Sequence, residues 1–234
     1  MEHCTKLPVK FNQIITVGTG SSGNSYLLQL SDGKYIALDC GMPWKQVLIG
    51  CDWQPTMIDL ALYTHSHKDH AYYSKYFVSN GIDVYGPDNW QDKKPKRIGG
   101  CIVAPFEVPH DVPCYGYLIS TGTEKLIYMT DFGYCKYTFK TQEVDHWLIA
   151  CNHIELPERE ENKFRHVVTG HSSLDTVKDL LVASQTDKMR NVIICHYSEG
   201  QDTNRMVQEL STALGNTVNV GIAQKGQKCQ LQTL

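Results

Sequence analysis

Short apolar segments separated by polar turns run along most of the chain. Each segment is roughly four to eight residues long and is rich in β-branched or aromatic residues, which predicts β-strands rather than helices. The strands are expected at residues 13–17, 26–30, 34–40, 59–63, 82–85, 102–108, 115–120, 126–129, 147–151 and 192–195, with further short strands near the end.

Three longer segments are predicted to be helices, and the segment 172–184 repeats its apolar residues with a helical period. They are residues 70–80, with Gly81 as the stop signal, 172–184 and 204–214. Pro43 can start a further short helix, because proline is tolerated in the first helical turn.

Two stretches show neither the pattern of a strand nor the period of a helix. Residues 86–100 are rich in Gly, Pro and Lys and predict a polar loop, while residues 155–163 predict a charged loop or short helix. The alternation of strands and helices elsewhere predicts one domain, residues 1–234, with two sheets flanked by helices.

Residues 64–70 read Thr-His-Ser-His-Lys-Asp-His and directly follow the predicted strand at 59–63. In an extended chain, residues two apart point the same way, so His65 and His67 can bind one cation. If a helix begins at Asp69, its carboxylate and the imidazole of His70 turn toward a second cation. Imidazole and carboxylate are ligands that suit zinc, manganese or iron. The alternative is a polar strand-to-helix turn whose histidines have no such role.

Four further predicted strands also end in a histidine or an aspartate. The residues are His110, Asp131, His171 and His196. A single histidine at a strand end is more often a packing residue, but five such ends, counting His65, are poorly explained by chance. Because strand ends on one edge of a sheet converge, we expect these side chains to meet in one site.

Residues 18–25, Gly-Thr-Gly-Ser-Ser-Gly-Asn-Ser, form a glycine-rich loop after the first predicted strand. Its accessible amides could bind a phosphate, or the loop could pack beneath a metal site. It lacks the G-K-[ST] ending of a P-loop, and no dinucleotide-binding fingerprint follows. Taken alone, a simple turn between strands is the favoured interpretation.

Charge, hydropathy and cysteine content narrow the possible partners. The net charge of -3 argues mildly against a broad basic surface for long nucleic acids. No apolar run approaches the roughly 18 residues of a membrane-spanning helix, and the first residues lack the apolar core of a signal peptide, so we expect a cytoplasmic protein without a membrane partner. The nine cysteines are odd in number and include no C-x-x-C pair, which favours reduced thiols.

The motifs THSHKDH, PHD, TD, GHSS and CHYS, in this order, resemble the metallo-β-lactamase family, and specifically its phosphodiesterase branch. The resemblance spans about residues 14–197. The segments GTGSSGNSYLL, MTDFG, CNHIE and GHSS are most similar to YycJ/WalJ-type nucleases and to phage anti-Pycsar cyclic-nucleotide phosphodiesterases, which share a core with ribonuclease Z. The implied fold is of the α+β class: an αββα sandwich of two mixed β-sheets flanked by helices, with the site at the open edge between the sheets.

The resemblance implies two divalent metal ions, with Zn²⁺ expected first and Mn²⁺ or Fe²⁺ as alternatives. It assigns His65, His67 and His110 to one ion, Asp69, His70 and His196 to the other, and Asp131 to both.

The same resemblance suggests catalytic roles. Asp69 would orient a metal-bridging hydroxide that attacks phosphorus, and His171, which is not needed as a ligand, would protonate the leaving group as a general acid. His153 and Ser172 are candidate substrate-binding residues. The role of His153 and of Glu155 stays open, because the run from 150 to 155 lacks the acidic pair of the YycJ-type pattern.

Polar neighbours of the predicted ligands could hold them in place. Thr64, Ser66 and Asp39 would contact the ligands and fix their tautomers, or they would only cap strand ends.

These assignments predict a dinuclear phosphodiesterase that hydrolyses small cyclic nucleotides, in which a tyrosine stacks against the base. Six tyrosines lie near the motifs: Tyr72, Tyr73, Tyr76, Tyr115, Tyr134 and Tyr137. Such an enzyme could serve a phage against cyclic-nucleotide signalling, in the host cytoplasm.

A DNA or RNA nuclease of YycJ/WalJ type is the alternative, and a non-catalytic nucleotide-binding module is a third hypothesis. Transfer RNA maturation is disfavoured, because the sequence has no arm-like insertion. The resemblance also implies a homodimer, with residues 86–100 and 134–142 as candidate lids.

Overall fold

The structure is a computed structural model that describes residues 8–155 and 170–231. Its first sheet contains β1 (Phe11–Gly18), β2 (Ser25–Leu30), β3 (Tyr35–Leu38), β4 (Ile58–Leu62), β5 (Asp83–Tyr85) and β13 (Lys228–Gln230). The spatial order is β13-β1-β2-β3-β4-β5. Neighbours are antiparallel from β13 to β3 and parallel from β3 to β5, so the sheet is mixed.

The second sheet is also mixed. It contains β6 (Lys96–Ile98), β7 (Cys101–Val108), β8 (Cys114–Ser120), β9 (Lys125–Met129), β10 (His146–Ala150), β11 (Asn191–Cys195) and β12 (Asn219–Ile222). The order is β12-β11-β10-β9-β8-β7-β6, antiparallel from β6 to β9 and parallel from β9 to β12.

Five α-helices connect these strands in the described part of the chain. They are α1 (Trp44–Gly50), α2 (Lys68–Ala71), α3 (Ser74–Ser79), α4 (Leu174–Ser184) and α5 (Thr203–Ala213), and short 3₁₀ helices lie at Pro55–Met57 and Lys140–Gln142. The Oγ of Ser173 caps α4 by accepting a hydrogen bond from the amide of Thr176 at 3.2 Å. None of the helices in the described ranges is both long and apolar enough to cross a membrane.

Three apolar cores stack the elements in four layers. The central core lies between the sheets and includes Leu28, Leu60 and Leu148. A second core packs α4 and α5 onto the outer face of the second sheet, and a third packs α1 and α3 onto the outer face of the first. Along β10, Leu148 faces the other sheet while Trp147 on the opposite face packs toward the helices, as the two-residue period of a strand requires. The predicted αββα sandwich of two mixed sheets is confirmed.

The helix predicted over residues 70–80 is instead broken into α2 and α3. The cause is tertiary backbone pairing. The amide of Cys40 donates to the carbonyl of His70 at 2.6 Å, and the amide of Tyr73 donates to the carbonyl of Cys40 at 2.9 Å. These groups are therefore taken out of a continuous helical ladder.

Two other predicted segments have different outcomes. The polar loop predicted at 86–100 contains the short strand β6, whose Lys96 pairs with Val103 of β7. The charged segment predicted at 155–163 lies outside the described residues except for Glu155, which forms an exposed ion pair with Arg205 at 3.2 Å.

His146 in β10 is a buried histidine with a structural role. Its Nδ1 accepts a hydrogen bond from the side-chain amide of Asn191 at 2.9 Å, and its ring meets the edge of Phe11 at a centroid distance of 5.8 Å. Burial, with a smaller effect of the positive charge of Arg190, lowers the pKa of His146 to about 3.

We predict that this histidine makes the metal-free protein sensitive to acid. As the pH falls below about 6.5, the unfolded chain binds a proton at position 146 while the folded chain stays neutral. Its contribution is complete above that pH and is lost progressively toward the folded pKa of about 3. Between pH 7 and pH 5 the loss is about 2 kcal/mol.

Urea unfolding of wild type and His146→Gln at pH 7 and at pH 5, with a chelator present, measures this loss of unfolding free energy. The variant should lose about 2 kcal/mol less than wild type between pH 7 and pH 5. An equal loss in both proteins would show that His146 does not cause the effect.

Candidate metal centre

The carboxyl ends of β3, β4, β9 and β11 meet at one edge of the sandwich, and each is followed by a polar residue of the site. Asp39 follows β3, Thr64 and His65 follow β4, Asp131 follows β9 and His196 follows β11. Three of these have left-handed backbones: φ is 60° at Asp39, 46° at Asp131 and 46° at His196. Such conformations are costly for residues other than glycine, and they concentrate where a site requires a particular side-chain direction.

The first cluster brings together His65, His67 and His110. The Nε2 of His65 lies 3.1 Å from the Nδ1 of His67, which lies 3.3 Å from the Nε2 of His110. A tetrahedral site with Zn–N bonds of about 2.0–2.1 Å has edges of about 3.4 Å. The three nitrogens are thus spaced like ligand atoms around one cation.

The second cluster brings together Asp69, His70, Asp131 and His196, whose ligand atoms all lie within 4.8 Å of one another. The Oδ2 of Asp131 is 2.8 Å from the Nε2 of His70 and 3.3 Å from that of His196. The Oδ2 of Asp69 is 3.2 Å and 3.5 Å from the same two nitrogens. This set of two imidazoles and two carboxylates could hold a second divalent cation.

Asp131 also reaches the first cluster, since its Oδ2 is 3.7 Å from the Nε2 of His65. One carboxylate oxygen therefore lies between the two sets of nitrogens, as expected for a shared ligand. All seven predicted ligands are brought together in the two clusters, and their binding of metal stays a prediction.

Electrostatics in the site favour cations. Burial alone would raise the pKa of Asp69 and of Asp131, but the contacts with His196 and His70 outweigh it and hold both carboxyls well below their usual pKa. Burial lowers the pKa of His65 to about 2, helped by the neighbouring charge of His70. Burial would lower the pKa of His70, but the carboxylates around it, that of Asp39 first, outweigh burial and raise this pKa well above its usual value. The ionised carboxylates and the neutral His65 are therefore ready to bind a divalent cation, whereas His70 would release a proton when a cation binds.

Asp39 holds the site from behind. Its fully buried carboxylate accepts hydrogen bonds from the backbone amide of Thr64 at 2.7 Å and from the hydroxyl of Tyr128 at 2.5 Å. Its Oδ2 also lies 2.5 Å from the Nδ1 of His70, which leaves the Nε2 of that ring directed at the second cluster. A carboxylate behind a ligating imidazole fixes its tautomer and orientation. Of the two interpretations open for Asp39, contact with a ligand is the one observed.

The glycine-rich loop lies beneath the second cluster. The amide of Asn24 donates to the carbonyl of Asp69 at 2.7 Å, and the side-chain amide of Asn24 lies 3.4 Å from the Oδ2 of Asp69. A Cβ at Gly41 would lie 1.7 Å from the carbonyl oxygen of Asp69 and 2.8 Å from the amide nitrogen of Asn24. The loop therefore packs beneath the metal-ligand turn, which is one of the two functional roles that its sequence left open.

Asn152 was not predicted as a site residue. Its side-chain amide lies 3.0 Å from the Nδ1 of His196 and 3.4 Å from the Oδ1 of Asp131. Its side-chain oxygen accepts a hydrogen bond from the backbone amide of Ser172 at 2.9 Å and lies 3.1 Å from the Ser172 hydroxyl. The only signal in the sequence was its place at the end of a predicted strand, in the Cys-Asn-His run.

This arrangement changes the role expected for Ser172. The residue is fully buried, and its hydroxyl donates to the carbonyl of Ala150 at 2.7 Å. Ser172 therefore positions Asn152 from behind the site and does not reach the open side as the predicted substrate contact would.

His153 and His171 lie beside each other, outside both clusters. Their ring centroids are 6.3 Å apart. His153 is 5% exposed and burial lowers its pKa, while His171 is half-buried. A Cβ at Gly170 would lie 2.8 Å from the Nδ1 of His110, so the backbone just before His171 packs against a ligand of the first cluster.

Known proteins share this architecture. Residues 18–89, which include the motif at 64–70, match the family model of the Metallo-beta-lactamase superfamily. The structure of the metallo-beta-lactamase fold protein YhfI from Bacillus subtilis superposes with a TM-score of 0.74 at 17% identity, over 94% of this chain and 100% of that one. The chain has the metallo-β-lactamase fold.

Two further relatives are nucleases by name. Exodeoxyribonuclease WalJ of Streptococcus pneumoniae is 24% identical over 217 residues, which cover 78% of this chain and 80% of WalJ. The short form of human tRNase Z superposes with a TM-score of 0.62 at 12% identity, over 94% of this chain and 100% of that one. The superfamily match and the relatives identify this metallo-β-lactamase-fold chain as a metal-dependent hydrolase.

We predict that His196→Ala lowers the metal content from two ions to one per chain, because it removes one of two imidazoles from the second cluster. Elemental analysis of the purified protein measures this. His171→Ala, a histidine change outside both clusters, is the matched control and should keep both ions. Equal metal content in wild type and His196→Ala would contradict the ligand assignment.

We also predict that Asp39→Asn weakens metal binding by about 10- to 100-fold, because an amide cannot hold the His70 tautomer as a carboxylate does. Competition with a chromogenic chelator gives the affinity. Asp88→Asn is the control, since the Asp88 carboxylate accepts a hydrogen bond from Tyr63 at 3.1 Å outside both clusters. An affinity unchanged by Asp39→Asn would mean that Asp39 only supports the fold.

Proposed function

We propose that this protein is a phosphodiesterase that hydrolyses small cyclic nucleotides. The observation that supports it most is the histidine pair His153 and His171, which lies outside both ligand clusters, with the backbone before His171 packed against His110. Hydrolysis of a lactam or thioester at such a centre has less need of an added proton donor, whereas a phosphodiester expels an alkoxide that leaves readily only when protonated.

The residues of the site can be given separate roles in this reaction. Divalent cations at the two clusters would supply positive charge for the phosphate oxygens and activate water near neutral pH. Asp69, which is 28% exposed at its side chain, is the ligand placed to orient the attacking water. His171 is the general acid in this proposal, and the buried His153 lies beside its ring.

The small substrate is preferred on grounds of charge. The chain has 22 Lys and Arg residues against 25 Asp and Glu, and a polynucleotide enzyme gains affinity from many phosphate contacts. A cyclic nucleotide needs only the metals, one aromatic ring and a few hydrogen bonds.

A DNA exonuclease is the second candidate. The similarity to exodeoxyribonuclease WalJ over most of both chains favours it. The two candidates use the same ligands and the same acid, so they differ in the surface around the centre.

A substrate panel separates the two. Zinc- and manganese-loaded protein would be incubated with 3′,5′-cyclic nucleotides of each base and with end-labelled single- and double-stranded DNA. We expect turnover of the cyclic nucleotides with little cleavage of DNA. Degradation of DNA alone would replace the first candidate by the second, and binding of nucleotides without any turnover would favour a binding module.

We predict that His171→Ala lowers kcat for a cyclic nucleotide by about 100- to 10,000-fold, because its leaving alkoxide must be protonated. A p-nitrophenyl phosphodiester, whose leaving group needs no proton, should lose much less. Metal content measured in the same samples excludes loss of the centre as the cause. Full turnover of the cyclic nucleotide by the variant would refute the acid assignment.

The proposal extends to the setting of the enzyme. We infer zinc as the resident metal, a homodimer and a cytoplasmic location, with phage counter-defence as the biological role if the gene belongs to a phage. Elemental analysis tests the first and sedimentation the second.

A further inference from the structure

A groove of about 610 Å³ opens directly beside the first ligand cluster. His110 and Asp111 line it, which places it next to the first cluster, and its volume is within the range of about 300–1,000 Å³ typical of small-molecule sites. Its other lining residues include Tyr134, Lys136 and Lys93. These three side chains are neither members of the ligand clusters nor the proposed general acid.

The segment from 133 to 138 forms one wall of the groove and alternates like an extended chain. Tyr134 and Lys136 are exposed and line the groove. Cys135 and Tyr137 are half-buried and pack against the core under the second sheet. The two-residue period therefore presents an aromatic ring and an ammonium group on the same side.

This wall is fixed relative to the ligands. The segment comes directly after Asp131, a ligand of the second cluster, and Phe132, which is fully buried. The amide of Gly133 donates to the carbonyl of Pro109, the residue before His110, at 3.5 Å. The ring of Tyr134 is thus attached to both clusters by short, packed stretches of backbone.

Among the six tyrosines near the motifs, only Tyr134 is both exposed and in the groove. It is 59% exposed. Tyr115 lines the groove but is 4% exposed, with its hydroxyl donating to the carbonyl of Trp90. Tyr137 packs its ring on Phe106 at 5.9 Å, and the exposed Tyr72 and Tyr76 are not among the residues that line the groove.

The two lysines of the groove differ in their charge environment. Lys93 forms an ion pair with Glu107, which also lines the groove, so its charge is partly neutralised. Lys136 lies with its Nζ 5.1 Å from the ring centroid of Tyr137, an arrangement that holds the side chain while leaving the ammonium group charged.

We propose that Tyr134 is the residue on which the base of a nucleotide substrate stacks, and that Lys136 supplies the positive charge that draws the anionic substrate into the groove. This inference rests on the proposed phosphodiesterase function and adds to it the two side chains that bind the base and attract the anion. It also means that the segment predicted as a lid at 134–142 contributes to the groove of its own chain.

The test compares a 3′,5′-cyclic nucleotide with a base-free 3′,5′-cyclic ribose phosphate. Tyr134→Ala should raise KM for the nucleotide by about 5- to 100-fold, the range that a base–aromatic stack produces, with kcat within about twofold. KM for the base-free compound should stay within about twofold. Tyr134→Phe and Tyr134→Trp, which keep a ring, should retain wild-type KM, as should the control Tyr76→Ala.

Lys136→Ala should raise KM for both compounds, and the effect should shrink as salt screens the charge. An equal KM shift for both compounds in Tyr134→Ala, or none for either, would overturn the stacking role while leaving the phosphodiesterase activity intact. A wild-type protein that turns over neither compound would instead refute the proposed function.

A direct binding measurement separates a failure of the stacking role from a failure of the proposed catalytic activity. Calorimetric titration of wild type and Tyr134→Ala with a hydrolysis-resistant cyclic nucleotide phosphorothioate reads the stack without turnover. Weaker binding to the variant by a similar factor supports the inference, and equal binding, or no binding to wild type, rejects it.

Discussion

The buried carboxylate of Asp39 is the contact on which the site depends. It joins the end of β3 to Thr64 at the end of β4, to Tyr128 in the opposite sheet and to the ring of His70. A fully buried charge is tolerated only when several donors surround it, and removing the carboxylate would leave all of those donors unpaired. The two sheets and the ligand turn therefore hold one another in a single arrangement.

Left-handed backbone at Asp39, Asp131 and His196 is a second constraint on the site. Left-handed residues persist only where the surroundings determine them, here by strand pairing on one side and polar contacts on the other. The fold thus directs side chains into the gap between the sheets at a conformational cost, and a bound cation would offset part of that cost by neutralising the carboxylates.

The meeting of these side chains could be predicted because the motif at 64–70 and His110, Asp131 and His196 each come just after an apolar strand, and the carboxyl ends of parallel strands converge. The division of the ligands between two cations came from the resemblance to the metallo-β-lactamase family. Asn24 and Asn152 could not be predicted, since asparagine near glycine or at a strand end is usual in turns and only their distances to Asp69 and His196 reveal a role. The break at Tyr73 was equally hidden, because it depends on a carbonyl 33 residues earlier, that of Cys40. Local periodicity is blind to such long-range pairing.

The close packing of Gly41 on Asp69 divides the rim of the centre into two unequal parts. On that side a Cβ at Gly41 or at Gly23 would collide with backbone, so neither position can take a larger residue without a shift of the chain. On the other side, Tyr134 and Lys136 project into open space. Sequences descended from this chain could therefore acquire new substrates by substitutions at Tyr134 and Lys136 alone, with the metal ligands unchanged.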